Sequence, residues 1–121
     1  MKLGTLRLFV NNLDAALAFY RDQLGIKLLH DGRAQGYLLF DAGLSLVLET
    51  VAEDAPPEEQ ALVGRVSGAS FTVADIQAEH QRLSAAGVAF DAPPEKQFWG
   101  GWTASFTDPA GNTLQLAQMP G

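Results

Sequence analysis

The chain of 121 residues contains no cysteine. This absence excludes disulfide bonds and thiolate metal sites, and it fits the cytoplasm, which is the location we expect. No apolar run approaches the roughly twenty residues that a membrane helix needs. The first four residues, MKLG, lead into a strand-like run and lack the long apolar stretch of a secretory signal. We therefore expect no membrane partner.

Positive charge is also scarce. Eight Lys and Arg residues stand against fourteen Asp and Glu residues, which gives a formal net charge of −6. We expect no nucleic-acid partner, because phosphate backbones repel an acidic surface and no basic cluster is present. Hydrophobic residues make up 47% of the chain, a share typical of a folded protein, and the length suits a single domain.

The sequence predicts two similar modules, residues 1–52 and 65–121, joined by an acidic, proline-containing linker at residues 53–64 with a short helical turn after Pro57. In each module a strand precedes a helix that begins after a capping residue, Asn12 or Asp75, and ends at a glycine. These helices are predicted at residues 13–24 and 75–86. Three strands then complete each module. The predicted strands are Thr5–Val10, 26–30, 36–41 and Leu44–Thr50, then 67–73, 88–91, Trp102–Thr107 and Thr113–Gln118.

Several motifs resemble the vicinal-oxygen-chelate superfamily, which includes glyoxalases, bleomycin-resistance proteins and extradiol dioxygenases. They are FVNNLDAALAFY at residues 9–20, LG at 24–25, SFTVADI at 70–76, WGG at 99–101 and DPAGNTLQL at 108–116. The FYRDQLG segment and the DPAGN turn are specific as a pair, and the WGG stretch is similar to that of bleomycin-resistance-like members. The resemblance implies the α+β glyoxalase/bleomycin-resistance fold, in which two βαβββ modules form a curved mixed-sheet cup. It also implies a homodimer.

The resemblance further implies where a metal would bind. Metal-dependent relatives place His or Glu at four positions of the cup, and the motif register aligns these with Thr5, Val47, Gly68 and Gln115. None of these is a carboxylate or an imidazole, and a divalent ion needs several such donors. If the fourth strand is shifted by two residues, Glu49 takes the place of Val47, and it is then the only carboxylate among the four positions. We therefore expect no metal and no other cofactor.

Strand alternation predicts which side chains face the cup. The regularly apolar positions of each strand pack on the helices, and the positions between them face the cup. The predicted ligand-binding residues are Arg7, Phe9, Tyr37, Glu49, Phe98, Trp99, Trp102 and Gln115. Core or dimer packing is the alternative for each aromatic residue, and for Trp99, in an exposed and mobile glycine loop, we favour the two equally. Arg7 and Glu49 alternatively form a simple ion pair. The two histidines, His30 and His80, are expected to be solvated or half-packed.

Three functions remain open. The favoured one is a metal-free small-molecule-binding protein that sequesters an aromatic or cationic compound, with no catalytic residue assigned. The second is a metal-dependent glyoxalase-like lyase or isomerase, or a dioxygenase, which the fold favours and the four cup positions oppose. The third is a metal-free enzyme that uses Arg7 and Glu49 as electrostatic and acid–base groups.

Overall fold

The computed structural model describes all 121 residues and contains nine strands. The chain divides into two compact units, and each is described here by itself. The first unit comprises Met1–Arg65 with Pro109–Asn112, and the second comprises Val66–Asp108 with Thr113–Gly121. Each unit contains a strand, a helix and then at least three strands, in two mixed sheets, so the predicted α+β class is confirmed. The module limits of 1–52 and 65–121 stay a prediction.

The first unit holds a four-stranded sheet. Its elements are β1 (Thr5–Val10), α1 (Leu13–Leu17), β2 (Lys27–Gly32), β3 (Tyr37–Ala42), β4 (Leu44–Thr50) and α2 (Pro57–Gln60). The strand order is β1-β4-β3-β2, with β1 parallel to β4 and the other neighbours antiparallel. The structure thus contains the short helical turn expected after Pro57. None of the helices in either unit is long and apolar enough to cross a membrane.

The first helix departs from the regular helix predicted at residues 13–24. Asn12 caps it as expected, since its Oδ1 accepts a hydrogen bond from the Ala15 N–H at 3.0 Å. After α1 the chain continues as a wider π-helical segment, Ala18–Gln23. In this segment Phe19 and Tyr20 are consecutive, yet both are buried. The wider turn accompanies the burial of two adjacent rings, which meet edge to face at a centroid distance of 5.1 Å.

The second unit repeats this plan with one addition. Its elements are β5 (Val66–Thr72), α3 (Ile76–Ala85), β6 (Ala89–Phe90), β7 (Glu95–Lys96), β8 (Trp102–Thr107) and β9 (Thr113–Gln118). The strand order is β5-β9-β8-β6, and β7 also pairs with β8. The sequence did not predict β7, which has only two residues. Asp75 caps α3 as expected, accepting a hydrogen bond from the Ala78 N–H at 3.1 Å.

Each sheet has one buried face. In the first unit Leu8, Leu48 and Leu38 lie opposite one another on adjacent strands, and each is at most 5% exposed. Tyr20 packs on this face, with its ring 6.0 Å from that of Phe40. In the second unit Phe106, Leu114 and Leu116 belong to the corresponding buried face. We call the opposite face of each sheet its open face.

Four residues of the DPAGN turn, Pro109–Asn112, belong to the first unit by their contacts. The side chain of Asn112 is buried and its amide donates a hydrogen bond to the Phe9 carbonyl at 2.8 Å. Its Oδ1 accepts hydrogen bonds from the backbone N–H groups of Gly64 and Arg65, both at 3.0 Å. A buried amide with these partners is a structural element, because it satisfies backbone groups that would otherwise be costly to bury.

We predict that Asn112→Ala lowers the free energy of unfolding by about 2–3 kcal/mol, because it removes part-buried hydrogen bonds to three backbone groups. Urea unfolding followed by circular dichroism measures this change. The exposed Asn11 provides the control, since Asn11→Ala should cost less than about 0.5 kcal/mol. Equal losses in the two variants would show that the Asn112 hydrogen bonds do not stabilise the fold.

Candidate functional site

Four of the predicted ligand-binding residues meet on the open face of the first unit. Phe9 on β1, Glu49 on β4 and Tyr37 on β3 form one row across three adjacent strands. Directly opposed residues of neighbouring strands point to the same side of a sheet. Arg7 lies two residues before Phe9 and therefore shares this face. The structure thus brings together an aromatic pair and two opposite charges.

Arg7 and Glu49 form a two-point ion pair. The Arg7 Nε donates to Glu49 Oε2 in a short hydrogen bond, and Nη2 donates to Oε1 at 3.1 Å. These hydrogen bonds hold the pKa of the Arg7 guanidinium above its ordinary value. The guanidinium carbon lies 5.3 Å from the centroid of the Phe9 ring, within range of a cation–π interaction. The Arg7 side chain is 61% exposed, so water screens the pair and the pair adds little to stability.

The Tyr37 ring packs against a glycine, Gly32. An ideal Cβ atom at Gly32 would be 2.4 Å from Tyr37 Cε1, and the three nearest atoms all belong to the Tyr37 ring. The ring of His30 lies beside it at a centroid distance of 5.7 Å. His30 was expected to be solvated or half-packed, and it is exposed, directly after a register shift in the pairing of β2 with β3. The Tyr37 ring is therefore covered by Gly32 on one side and remains half-exposed.

On β5, β9 and β8 the open face of the second unit carries polar, uncharged side chains, and Glu95 of β7 lies at its edge opposite Thr103. Ser70 on β5 lies opposite Gln115 on β9, and its hydroxyl donates to Gln115 Oε1 at 3.0 Å. A cavity of about 140 Å³ opens beside them. Its lining residues are Val66, Gly68, Ala69, Ser105, Thr113, Leu114 and Gln115. Strand alternation predicted that Gln115 faces the cup, and the structure places it in the lining of a cavity on the open face of its sheet.

Trp102 requires a correction. Trp102 lies on the same side of β8 as the buried residues Ala104 and Phe106, and it is paired with Gln118 on β9. Gln118 faces the helix, because its Oε1 accepts the Ile76 N–H at 2.8 Å. Trp102 therefore lies on the helix side of the sheet and lines a groove of about 340 Å³ at the start of α3. The prediction that Trp102 faces the cup is wrong, since strand geometry puts Trp102 and the cup-facing Gln115 on opposite faces of their sheet.

The tip of the β7–β8 hairpin carries the remaining two aromatic candidates. The Gln97 N–H donates to the Gly101 carbonyl at 2.8 Å, and the Gly100 N–H donates to the Gln97 carbonyl at 3.0 Å, so the loop is a hydrogen-bonded turn. Phe98 is fully exposed on this turn. Trp99 is 40% exposed, and its ring covers Gly101 so closely that no side chain fits there. Trp99 is thus both packed and accessible.

Residues 2–116 match the family model of the Glyoxalase/Bleomycin resistance protein/Dioxygenase superfamily. The chain belongs to this superfamily. A related protein of Bacillus subtilis (strain 168), "Uncharacterized protein YurT", is 34% identical over 128 residues, covering 98% of this chain and 99% of the relative.

Solved structures of the superfamily have the same fold. TnmS3, an antibiotic binding protein from Streptomyces sp. CB03234, is 30% identical with a TM-score of 0.77, and the match covers 100% of this chain and 97% of that chain. Lactoylglutathione lyase from Agrobacterium tumefaciens is 21% identical with a TM-score of 0.75, covering 97% and 92% of the two chains. The second likeness shows the fold alone, since one fold hosts many activities.

The residues of this superfamily member do not fit a divalent metal ion. No group of three or more His, Asp or Glu side chains lies close enough together to hold one. In the first unit Glu49, the carboxylate that a shifted register offers, already pairs with Arg7. In the second unit β5, β8 and β9 contain no His, Asp or Glu. Divalent ions need such donors.

We predict that Gly32→Ala displaces the Tyr37 ring, because the added methyl group would occupy the position of that ring. The backbone tolerates the change, since Gly32 has a φ of −102°, which alanine adopts freely. NMR measures the displacement as a change in the ring-current shift of the His30 imidazole protons. Gly4→Ala is the control, because no atom lies within 4 Å of its added methyl group. Unchanged His30 shifts in Gly32→Ala would contradict this geometry.

Proposed function

We propose that this protein binds a small aromatic or cationic molecule without a metal ion and sequesters it, as a bleomycin-resistance-type member of its superfamily. The observation that carries the proposal is the row of Phe9, Glu49 and Tyr37 on one open face, with Arg7 paired to Glu49 beside it. A site with aromatic walls and a few placed polar groups is the usual form of a small-molecule site.

Each residue of this row has a part in the proposed site. Tyr37, supported from below by Gly32, offers a flat surface on which a planar ring stacks. Glu49 offers a carboxylate to a ligand cation, which replaces the guanidinium of Arg7 as its partner. The exchange costs little because the Arg7–Glu49 pair is exposed and screened by water. The net charge of −6 raises the local concentration of cationic ligands.

The likeness to TnmS3 supports binding as the function. That protein is described as antibiotic binding, and the alignment with it spans both chains almost completely. Sequestration of a toxic compound lowers its free concentration, which confers resistance without any chemical step. The proposal therefore assigns no catalytic residue. The homodimer and the cytoplasmic location remain predictions.

We predict that Glu49→Gln weakens the binding of proflavine, a planar aromatic cation, by about tenfold, the equivalent of about 1.4 kcal/mol. The substitution removes the negative charge and keeps the shape of the side chain. Fluorescence anisotropy of proflavine itself and isothermal titration calorimetry measure the Kd.

Asp22→Asn is the matched control, because Asp22 also pairs with an arginine of the first unit, Arg21, but lies outside the open face. It should change the Kd less than twofold, which is roughly 0.4 kcal/mol. If proflavine does not bind, or if both variants weaken binding equally, the proposed site is wrong.

We also predict that the protein binds Zn²⁺, Ni²⁺, Fe²⁺ and Mn²⁺ only substoichiometrically. The positions aligned with metal ligands offer Thr5, Val47, Gly68 and Gln115, none of which carries negative charge. Dialysis against each ion followed by elemental analysis measures the bound metal. One bound equivalent that disappears in Glu49→Gln would overturn the metal-free proposal and revive a metal-dependent activity.

A further inference from the structure

Three strands of the second unit carry no charge at all. β5, β8 and β9 contain no Asp, Glu, Lys, Arg or His, and their open face carries hydroxyl, amide and methyl groups. A charged ligand group on this face would lose hydration without finding an opposite charge on these strands, which is costly. The face therefore suits the uncharged polar part of a ligand.

The cavity on this face exists because of an irregularity in β5. The pairing of β5 with β9 shifts register between Val66 and Ser70. Gly68, inside the shifted stretch, has a φ of +74°, which side chains rarely adopt, and a Cβ atom there would meet nothing within 4 Å. The bulge and the missing side chain leave about 140 Å³ beside Gln115, room for a small group of a larger ligand.

Gln115 is oriented at the edge of this cavity. The Ser70 hydroxyl donates to Gln115 Oε1 at 3.0 Å and so occupies the carbonyl end of the amide. The NH₂ end remains as a donor of hydrogen bonds. Ser105 and Thr113 also line the cavity and carry hydroxyl groups that can donate. The NH₂ end of Gln115 therefore favours a ligand atom that accepts hydrogen bonds, and the hydroxyl groups, which can donate or accept, are compatible with such an atom.

We propose that this cavity binds a carbonyl oxygen of a small aromatic ligand, from a ketone, quinone or amide, with the Gln115 amide as its principal donor. This inference rests on the proposed function and specifies the ligand class of the second unit. A carbonyl oxygen is uncharged, fits about 140 Å³ with its neighbouring atoms and accepts hydrogen bonds. A hydrogen-bonding site rejects an analogue that lacks the matching group, because its own donor is then left unpaired.

Two planar probes that differ in one carbonyl group test the proposal. Fluorenone has the carbonyl and fluorene lacks it, while the ring system is otherwise the same. We expect the native protein to bind fluorenone about tenfold more tightly than fluorene. Gln115→Glu should abolish this preference, since an ionised carboxylate only accepts hydrogen bonds, and it should retain the affinity for fluorene. Ser70→Ala should reduce the preference by freeing the amide to rotate.

Gln81→Glu is the matched control, because it makes the same chemical change at an exposed position of α3 and should preserve the tenfold preference. Equal binding of the two probes by the native protein, or an unchanged preference in Gln115→Glu, would overturn the inference and leave the proposed function standing. If neither probe binds, the carbonyl site is also wrong. The proposed function is tested separately, by the proflavine titration and the metal analysis.

Discussion

The two-residue period of the β-strand determines which side chains of each sheet are buried and which are accessible. Successive side chains of a strand point to opposite faces, so a regular apolar pattern commits one whole face of a sheet to its helix. In the first unit Leu46 and Leu48 occupy the buried face, and the residues between them, Val47 and Glu49, reach the open face. The same rule in the second unit buries Leu114 and opens Gln115. Both candidate sites result from this division.

The two open faces have different chemistry. The first unit presents an ion pair beside aromatic rings, and the second presents amide and hydroxyl groups on three strands without charge. In neither unit do the carboxylates and imidazoles gather in a group that a divalent ion requires. Stacking, exchange of ionic partners and hydrogen bonding are the interactions that remain available, and they favour binding over metal chemistry.

Strand periodicity carries most of what could be predicted from the sequence, and contacts without a local pattern could not be predicted. The bounds of β1, β4, β8 and β9 were predicted without error, because each strand alternates between turn residues. Arg7 and Glu49 were correctly predicted to share a face. Trp102 was assigned to the wrong face, although its two-residue spacing from Ala104 and four-residue spacing from Phe106 put it on the helix side with them. The hydrogen bond from Asn112 to Phe9 has no local signal, since 103 positions separate the two residues.

The central claim is that ligands bind on an open face without a metal ion. Two-dimensional amide NMR spectra, recorded during a proflavine titration in the presence of EDTA, test it most directly. The account predicts saturable shifts at the amides of Phe9, Tyr37 and Glu49. Shifts confined to the groove at Trp102 and the start of α3, or shifts that arise only when a divalent metal ion replaces the EDTA, would contradict it.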